Sequence, residues 1–496
     1  MSVVDRISQT LKRREGRALE WKGQWIGRAE FNDLIVDLRD KLDGLGLPAG
    51  GQVAVMVRNR PPQVAAVLAI WAGRRSYVVL NAIQPDDRFI ADIRALKPAA
   101  LIGLPSDWDR PGVREAVRGI GAAGIVLPDS AGGPAAMAAG LEAITGTELA
   151  PPTPEVAVHM SSSGTTGAPK RMPMPYERIE RIMYAAGRFV PEAGDNPAPQ
   201  LLFYSIAHVG GLTGLYGRAA AGTPLVLLEK FNVEEWRDAL VRHRFTTSSL
   251  PPAALRMVLD ADLPGEDLAS LKTITTGTAP VPHDLVDEIL RRYGIPVLES
   301  YGATEFGGSV ASWNLDLFHS HWRTHRGAVG RLNTGMEGRV VDPETGEVLP
   351  FRTEGLLEVR SPLIDDGGDW IRTTDRAEMD AERFVWIKGR ADNAIIRGGF
   401  KVHPDEVNAV LHQHPGVREA CVVGIPDDRL GEVPVAAVIL HAGAPGVTGE
   451  DIVQWARERL TPYQVPVRIL VVDDLPRTVS FKPAAPAVRA LFAPTA

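Results

Sequence analysis

Short apolar runs alternate with helically spaced apolar residues along the N-terminal part of the chain. Between residues 29 and 45, apolar side chains recur every three or four positions, which predicts a helix with one buried face. Val53–Val57 predicts a buried strand, and the alternation continues to residue 127. The next predicted elements are helix Pro61–Ala72, strand Tyr77–Leu80, helix Phe89–Leu96, strand Ala100–Gly103, helix Val113–Ile120 and strand Gly124–Leu127. Repeated strand–helix–strand order predicts an α/β fold with a mostly parallel, doubly wound sheet.

The pattern changes in the C-terminal part of the chain. Residues 327–390 alternate short strands with turn signals, which is typical of a small β-rich subdomain. Beyond Arg390–Asp392, helix and strand patterns return over a stretch about the size of an independent domain. We therefore predict a large N-terminal domain over residues 1–390, which includes the β-rich subdomain, and a small α+β C-terminal domain over residues 391–496.

Composition narrows the classes of function. The net charge of -7 and the lack of a dense basic run argue against a nucleic-acid-binding protein. The single cysteine, Cys421, allows neither an internal disulfide nor a CxxC metal pair. The N-terminus lacks an apolar signal core, and the longest apolar run, Val64–Gly73, is far short of the roughly 20 residues that span a bilayer. We therefore expect a soluble, cytoplasmic protein without a membrane span.

The stretch Ser161–Lys170 reads SSSGTTGAPK and combines glycines, hydroxyls and one lysine. These residue types suit a loop that wraps phosphate oxygens. The loop is not a Walker A motif, because Pro169 interrupts the required spacing. The flanks, Val156–Met160 and Met172–Pro175, predict strand, loop and strand rather than strand, loop and helix. From composition alone, a flexible Ser/Gly surface loop is the alternative.

Loops that follow other predicted strands carry further candidates. His208, followed by two glycines, fits either a pocket wall or a tight turn around a core histidine. Gly277–Pro280 and Tyr301–Glu305 each follow a short strand, and ligands bind at the carboxyl ends of strands in α/β sheets. The carboxylate of Glu305 suits Mg²⁺ beside phosphates. A solvated loop carboxylate is the alternative.

Three histidines, His319, His321 and His325, stand close together and invite a zinc interpretation. No cysteine or second ligand cluster supports that interpretation, and Arg323 and Arg326 would repel a cation. A polar surface loop is the favoured prediction for this segment.

The motifs, taken in order, closely resemble those of the acyl-adenylate-forming (ANL) enzymes. That family includes acyl-CoA synthetases, firefly luciferase and the adenylation domains of peptide synthetases. The matching motifs are SSSGTTGAPK at 161–170, His208 with its glycines, GTAP at 277–280, YGATE at 301–305, Asp375, KGRAD at 388–392, RGGFKV at 397–402 and PRTVSFK at 476–482. The resemblance covers nearly the whole chain. It implies a large N-terminal domain, a small mobile C-terminal domain and a ligand site between them.

The resemblance also implies roles for individual residues. The residues implied to hold the β- and γ-phosphates of ATP are Ser162, Ser163, Gly164, Thr165, Thr166, Gly167 and Lys170. Those implied to enclose adenine are Gly277, Thr278, Ala279, Pro280 and Tyr301, and Gly302 is a further implied cofactor-binding residue. Asp375 would bind the ribose hydroxyls with support from Arg390, and Asp392 matches the hinge. The implied catalytic residues are Lys482 and Thr304 at the α-phosphate, Glu305 as the Mg²⁺ ligand, and His208. The stretch implied to turn toward the site in the second half-reaction contains Gly398, Gly399 and Lys401.

The acyl pocket is expected to have a lining of small and apolar residues. Its expected members are Tyr204, His208, Val209, Gly211, Gly277, Ala303, Gly307 and Gly308. Glycines at 210–211 and 307–308 are expected to leave room for an acid wider than acetate. No Lys, Arg or Asp in the lining is available to pair a second carboxylate or an amino group, which argues against dicarboxylic and amino acids.

The resemblance therefore implies an AMP-forming carboxylate–CoA ligase that uses ATP, Mg²⁺ and coenzyme A. The expected substrate is a hydrophobic aryl, medium-chain or branched carboxylic acid. The alternatives are a stand-alone amide synthetase, with an amine as acceptor, and a non-catalytic protein that binds ATP and carboxylate. Assembly into a homodimer is left open. Two residues depart from the family pattern, since Thr374 and Phe481 stand where glycine is usual. They put the shape of the Asp375 loop and the position of Lys482 in question.

Overall fold

The computed structural model describes residues 2–82, 84–161, 171–185, 197–277, 281–303, 306, 308–361, 368–397, 400–427, 429–442, 446–478 and 482–493. The chain divides into two compact units. The first comprises residues 1–246 and 266–270, and the second comprises residues 247–265 and 271–496. The boundary predicted at Arg390–Asp392 falls inside the second unit, so the limits 1–390 and 391–496 stay a prediction.

The first unit contains two sheets. Its strands are β1 (Arg17–Trp21), β2 (Gln24–Gly27), β3 (Gln52–Val57), β4 (Ser76–Asn81), β5 (Ala100–Gly103), β6 (Ala123–Val126), β7 (Ala136–Met137), β8 (Val156–Ser161), β9 (Arg171–Pro175), β10 (Gln200–Leu202) and β11 (Leu225–Leu227). The larger sheet has the order β7-β6-β5-β3-β4-β8-β9, and the smaller has the order β10-β11-β1-β2. In the larger sheet every inner pair is parallel, and only the outer pairs β6–β7 and β8–β9 are antiparallel.

Helices cover both faces of the seven-stranded sheet. The helices up to residue 243 are α1 (Val3–Thr10), α2 (Arg28–Gly44), α3 (Pro61–Ala72), α4 (Asp86–Leu96), α5 (Pro105–Trp108), α6 (Val113–Ile120), α7 (Tyr176–Ala185), α8 (Val209–Ala221) and α9 (Val233–His243). Alternate residues of β3 enter two different cores. Val53 and Val55 pack with α2 and α3, whereas Ala54 and Met56 pack with α4 and α6. A strand buried on both faces reads as an unbroken apolar run, which is why the sequence predicted this doubly wound sheet correctly.

The second unit begins with parallel strands and continues with antiparallel ones. Its strands up to residue 390 are β12 (Thr247–Ser249), β13 (Thr273–Gly277), β14 (Val297–Ala303), β15 (Gly308–Ser312), β16 (Gly330–Leu332), β17 (Glu337–Val341), β18 (Gly355–Arg360), β19 (Ile371–Met379) and β20 (Phe384–Arg390). They form one sheet in the order β12-β13-β14-β15-β16-β20-β19-β18-β17. The β-rich character predicted for residues 327–390 is therefore confirmed.

A second sheet of this unit forms the core of the C-terminal α+β region. Its strands are β21 (Ile395–Arg397), β22 (Phe400–Val402), β23 (Val417–Asp427), β24 (Gly431–Leu440) and β25 (Ile469–Val471). The helices from residue 252 onward are α10 (Pro252–Asp260), α11 (Gly265–Leu268), α12 (His283–Tyr293), α13 (Leu315–His321), α14 (Pro404–His412), α15 (Gly449–Arg457) and α16 (Ala485–Ala490). The sheet packs against α14 and α15 through one apolar cluster and against α16 through another.

The histidine-containing segment corrects a prediction. It is the helix α13 rather than a polar surface loop, and Asn314 caps its N-terminus by accepting a hydrogen bond from the Leu317 N–H at 2.9 Å. His325, just beyond it, is buried, stacks on Phe384 with 4.0 Å between ring centroids, and lies 3.3 Å from an Asp380 carboxylate oxygen. The apolar spacing of Leu315, Phe318 and Trp322 was the helical signal, which the nearby polar residues obscured.

The described residues contain neither a cluster of three or more metal-ligating side chains nor a helix that could cross a membrane. No set of three or more His, Cys, Asp or Glu in this part of the chain is grouped so as to hold a metal ion. None of its helices combines the length and the apolar character that a bilayer crossing requires.

Candidate functional site

The Ser/Gly-rich stretch lies between two strands that pair with each other. Strands β8 and β9 pair antiparallel, and their last pair is Ser161 with Arg171. The two predicted flanking strands are therefore confirmed. The expected phosphate-binding residues themselves lie outside the described residues: Ser162, Ser163, Gly164, Thr165, Thr166, Gly167 and Lys170.

His208 stands at the start of helix α8, directly after a turn. Its backbone N–H donates to the Ser205 carbonyl at 3.0 Å, and its carbonyl accepts from the Leu212 N–H at 2.9 Å. His208, Tyr204 and Val209 are all half-buried. The position at a helix N-terminus replaces the alternative of a tight turn around a core histidine.

Asn59, which sequence reasoning missed, fixes the turn before His208. Its buried amide nitrogen donates to the carbonyls of Phe203 at 3.2 Å and Tyr204 at 3.0 Å, and its amide oxygen accepts from the Ile206 N–H at 3.0 Å. Asn59 follows the carboxyl end of β3, about where an α/β sheet places functional side chains. A polar residue after a buried strand was the available signal.

Gly211 does not open the space that the sequence suggested. A Cβ at this position would lie 2.3 Å from the Ser205 carbonyl oxygen and 2.5 Å from that of Tyr204. The absent side chain therefore lets α8 pack against the preceding turn, and the pocket-width argument is wrong for Gly211. At Gly210, by contrast, a Cβ would meet nothing within 4 Å.

In the second unit, the side chains of Tyr301 and Asp375 are in contact, although the two residues are 74 positions apart in the sequence. The Tyr301 hydroxyl, at the end of β14, donates to the Asp375 carboxylate on β19. Burial raises the pKa of the Asp375 carboxyl, and the Tyr301 hydrogen bond opposes that rise. Burial and the neighbouring carboxylate raise the pKa of Tyr301. Two residues expected to contact one nucleotide thus share a half-buried site.

Asp375 is held by its own strand rather than by a special loop. Its N–H donates to the Thr373 hydroxyl oxygen at 3.0 Å, and that hydroxyl donates to the Leu357 carbonyl at 2.8 Å. Thr374 is exposed within β19 and is not among the positive-φ residues, so its Cβ causes no strain. The departure from the family glycine therefore leaves Asp375 on a regular strand.

Arg390 pairs with Asp375 in the strand register and supplies positive charge beside it. Its guanidinium donates to the two Asp392 carboxylate oxygens at 2.8 Å and 2.5 Å. The positive charge of Arg390 lowers the pKa of Asp375, against the effect of burial. Arg390 thus contributes to the site electrostatically while it holds the predicted hinge residue.

Close packing between strands explains why glycine occupies two of the other predicted site positions. A Cβ on Gly302 would lie 2.0 Å from the Gly308 carbonyl oxygen across the β14–β15 pair. A Cβ on Gly277 would lie 2.7 Å from the Ser300 carbonyl oxygen, so β14 fills that space. Ala303 is half-buried and pairs with Gly308. The expected site residues outside the described part of the chain are Thr278, Ala279, Pro280, Thr304, Glu305 and Gly307.

Lys482 lies in the same unit as Asp375, and its positive charge lowers the pKa of that carboxyl. Lys401 belongs to β22, whereas Gly398, Gly399 and Phe481 lie outside the described residues. Tyr301, Asp375, Arg390, Asp392 and Lys482 are therefore the predicted site residues that the second unit assembles.

Two family models match this chain. A family model described as AMP-binding enzyme matches residues 8–367, and the model of the AMP-binding enzyme C-terminal domain matches residues 406–482. The chain belongs to the AMP-binding enzyme family. With both domains matched and CoA ligases among its relatives, this AMP-binding enzyme is a member of the acyl-adenylate-forming superfamily, as its motifs predicted.

Individual relatives differ in what their names describe. The AMP-binding enzyme is 33% identical over 342 residues to 4-coumarate–CoA ligase-like 9 of Oryza sativa subsp. japonica, over 65% of this chain and 61% of that protein. It is 31% identical to an indoleacetate–CoA ligase of Aromatoleum aromaticum, over 70% and 69% of the two chains. The amide bond synthetase McbA of Marinactinospora thermotolerans has a similar structure, with a TM-score of 0.77, 26% identity and coverage of 99% and 100%.

The AMP-binding enzyme carries one further buried acid that sequence reasoning missed. Glu299 on β14 is 4% exposed, and its Oε1 has no hydrogen-bond partner among the described residues. The same holds for the hydroxyl of Thr276, its register partner on β13, which is 2% exposed. Burial raises the pKa of Glu299 to about 8. Glu299 and Tyr301 project to the same face of the strand, because side chains alternate along it.

Replacing Glu299 with glutamine should make the AMP-binding enzyme more stable at alkaline pH. The folded state holds this proton up to about pH 8, whereas an unfolded glutamate loses it near its ordinary value of 4.5. Stability therefore falls as pH rises between these values, by about 1.4 kcal/mol per unit of pKa difference. The melting temperatures of wild type and Glu299→Gln should coincide near about pH 5 and diverge, with the variant higher, toward about pH 9.

A paired glutamate provides the control. The buried Glu358 carboxylate accepts from Arg339 at 2.7 Å and from Arg372 at 2.8 Å, so Glu358→Gln should lower the melting temperature throughout that range. Parallel pH profiles for wild type and Glu299→Gln would show that Glu299 keeps an ordinary pKa.

Proposed function

We propose that this protein activates a hydrophobic carboxylic acid with ATP and transfers the acyl group to coenzyme A. The observation that carries the proposal is the Tyr301–Asp375 hydrogen bond, which joins the expected adenine-contacting and ribose-binding residues in one site. The nearby charge of Lys482 supports it, because both reactants of such an activation are anions. The names of the CoA ligase relatives support the same class of reaction.

The first half-reaction is an attack of the substrate carboxylate on the α-phosphorus of ATP. An oxygen–phosphorus bond forms, the bond to the β-phosphate oxygen breaks, and pyrophosphate leaves. Tyr301 stacks on adenine and Asp375 accepts hydrogen bonds from the ribose hydroxyls, which fixes the α-phosphate relative to the acid. Lys482 stabilises the negative charge that develops on the α-phosphate oxygens. Glu305, a hard oxygen ligand, would hold Mg²⁺, whose charge offsets that of the phosphates.

Glu299 extends this proposal to recognition of the base. Its unpartnered Oε1 lies on the strand face of Tyr301, two residues before the ring that stacks on adenine. A buried acceptor without a partner costs free energy unless a ligand donates to it. The exocyclic amine of adenine is such a donor. Guanine carries a carbonyl oxygen, which is an acceptor, where adenine carries this 6-amino group, and this difference favours ATP over GTP.

In the second half-reaction, a nucleophile attacks the acyl carbon and AMP leaves. Coenzyme A is the proposed nucleophile, with its thiolate forming the thioester. An amine is the second candidate, favoured by the similarity to an amide bond synthetase over nearly the full length of both chains. The Ser480-Phe481-Lys482 tail, which departs from the family pattern, raises the same alternative.

A matrix of acids against acceptors tests the proposal. Purified protein is incubated with ATP, Mg²⁺ and one acid from an aryl, branched, medium-chain, short-chain, dicarboxylic or amino-acid set, with either coenzyme A or simple amines. Mass spectrometry then identifies the products. Thioesters of hydrophobic acids are the expected result. Amides without thioesters would move the function to the second candidate, and activity confined to acetate or amino acids would contradict the proposed substrate class.

Replacing Asp392 with proline should slow the second half-reaction far more than the first. Proline fixes φ and removes a backbone donor, so a hinge at this position could not rotate. The measurement compares pyrophosphate exchange, which reports adenylation, with thioester formation from preformed acyl adenylate. Asp392→Ala is the control, because it removes the Arg390 ion pair without fixing φ. Equal losses in both half-reactions of the proline variant would exclude the hinge role.

A further inference from the structure

Residues 476–478 run antiparallel to residues 482–484, and these two short segments are named the ladder. The Ala484 N–H donates to the Pro476 carbonyl at 2.7 Å, and the Thr478 N–H donates to the Lys482 carbonyl at 2.7 Å. Between them, Arg477 and Pro483 form an antiparallel bridge. The Lys482 N–H also donates to the Thr478 hydroxyl oxygen at 3.3 Å. The backbone of Lys482 is therefore placed by its hydrogen bonds to the segment 476–478.

Residues 475–478 contact β23 through an apolar cluster and through an ion pair. Leu475 is 2% exposed and belongs to an apolar cluster with Val423 and Val488. Arg477 donates through Nη1 and Nη2 to the two carboxylate oxygens of Glu419, at 2.9 Å and 2.6 Å. The Arg477 and Glu419 side chains are only 19% and 21% exposed. A two-point bond of this kind fixes direction as well as distance.

We infer that Arg477 and Glu419 are positioning residues for Lys482, a role that rests on the function proposed for that lysine. Neither side chain needs to touch substrate. The ion pair sets the orientation of segment 476–478, and the hydrogen bonds of the ladder transmit that orientation to the Lys482 backbone. A lysine that must meet the α-phosphate tolerates little displacement, since a shift of about 1 Å can cost about 100-fold in rate.

Hydrogen exchange tests the structural half of the inference without any need for activity. In the full-length protein, the amides of Thr478, Lys482 and Ala484 should exchange at least about tenfold faster in Arg477→Ala and in Glu419→Ala than in wild type. The charge-swapped double variant, Arg477→Glu with Glu419→Arg, should recover protection. Unchanged protection in both single variants would overturn the inference, whatever the enzymatic activity.

Kinetics test the functional half. In acid-dependent pyrophosphate exchange, Arg477→Ala and Glu419→Ala should lose about 10- to 100-fold in kcat while KM for ATP stays within about twofold. An ion pair with only a structural role would lower the melting temperature without this selective loss in kcat. The control is Arg360→Ala, which breaks the two-point Arg360–Glu337 pair on β17 and β18 and should leave kcat unchanged. Wild-type kcat in both single variants, or no recovery in the charge swap, would overturn the positioning role.

Hydrogen exchange and kinetics together distinguish failure of the proposed function from failure of the positioning role. If the wild-type protein shows no acid-dependent exchange, the proposed function is wrong, and the exchange protection of the ladder still reports whether the ion pair holds it. If wild type is active and the ladder is protected only by its apolar cluster, the ion pair has no positioning role.

Discussion

Replacing Lys482 with alanine should lower the rate of adenylate formation about 10²–10³-fold, the usual loss when one preorganised donor to a developing charge is removed. The positive charge of Lys482 lowers the pKa of Asp375, so its field reaches the carboxylate that is proposed to bind the ribose. The fold should survive, because the ladder is held by backbone bonds and by the Arg477–Glu419 pair. Pyrophosphate exchange into ATP, measured with a saturating acid, gives the rate.

Two comparisons make the Lys482 result specific. Lys272→Ala removes an exposed lysine of the same unit and should exchange pyrophosphate at the wild-type rate. Preformed acyl adenylate supplied to Lys482→Ala should still yield thioester, since the lysine acts on the α-phosphate in the first half-reaction. A Lys482→Ala variant that exchanges pyrophosphate as fast as wild type would remove Lys482 from the site.

Replacing Asp375 with alanine should lower kcat/KM for ATP about 100-fold, because two hydrogen bonds to a charged group contribute about 1.5 kcal/mol each at the lower end. The carboxylate is half-buried and is held on β19 by Thr373, so water replaces it poorly as a ribose partner. The loss should appear mainly in KM for ATP. Steady-state kinetics at varied ATP and fixed acid measure it.

Tyr301→Phe is the matched variant for Asp375. It keeps the ring that is proposed to stack on adenine and removes only the hydroxyl that donates to Asp375. Its loss should be smaller than that of Asp375→Ala, because Asp375 keeps its oxygens for the ribose. An Asp375→Ala variant with wild-type KM for ATP would place the ribose elsewhere.

The sequence predicts those parts of the molecule in which the pattern of apolar residues within one segment reflects how that segment is buried. Val53–Val57 is apolar throughout because both faces of β3 are buried, and Met172–Pro175 alternates because β9 lies at the edge of the same sheet, paired with β8. The order of motifs predicted that Tyr301 and Asp375 would share a site. The hydrogen bond between them joins strands that no local spacing connects.

The features that the sequence did not predict depend on contacts between residues that lie far apart in the sequence. Asn59 bonds to Tyr204, 145 residues away, and no pattern near either residue signals it. Glu299 looks like an ordinary polar residue in a strand, and only its burial and unpartnered oxygen mark it. Gly211 was read as open space, although a glycine serves equally well where backbone packs on backbone. His325 is buried by Phe384, which comes after strands β16–β19 in the sequence.

The central claim, that this protein forms acyl adenylates, is tested most directly by acid-dependent exchange of labelled pyrophosphate into ATP. The assay needs neither coenzyme A nor an amine, so it is independent of the acceptor. We predict exchange with at least one hydrophobic aryl, branched or medium-chain acid, none when the acid is omitted, and a loss of about 10²–10³-fold in Lys482→Ala. Absence of exchange with every acid of the panel in folded, ATP-binding protein would contradict the account.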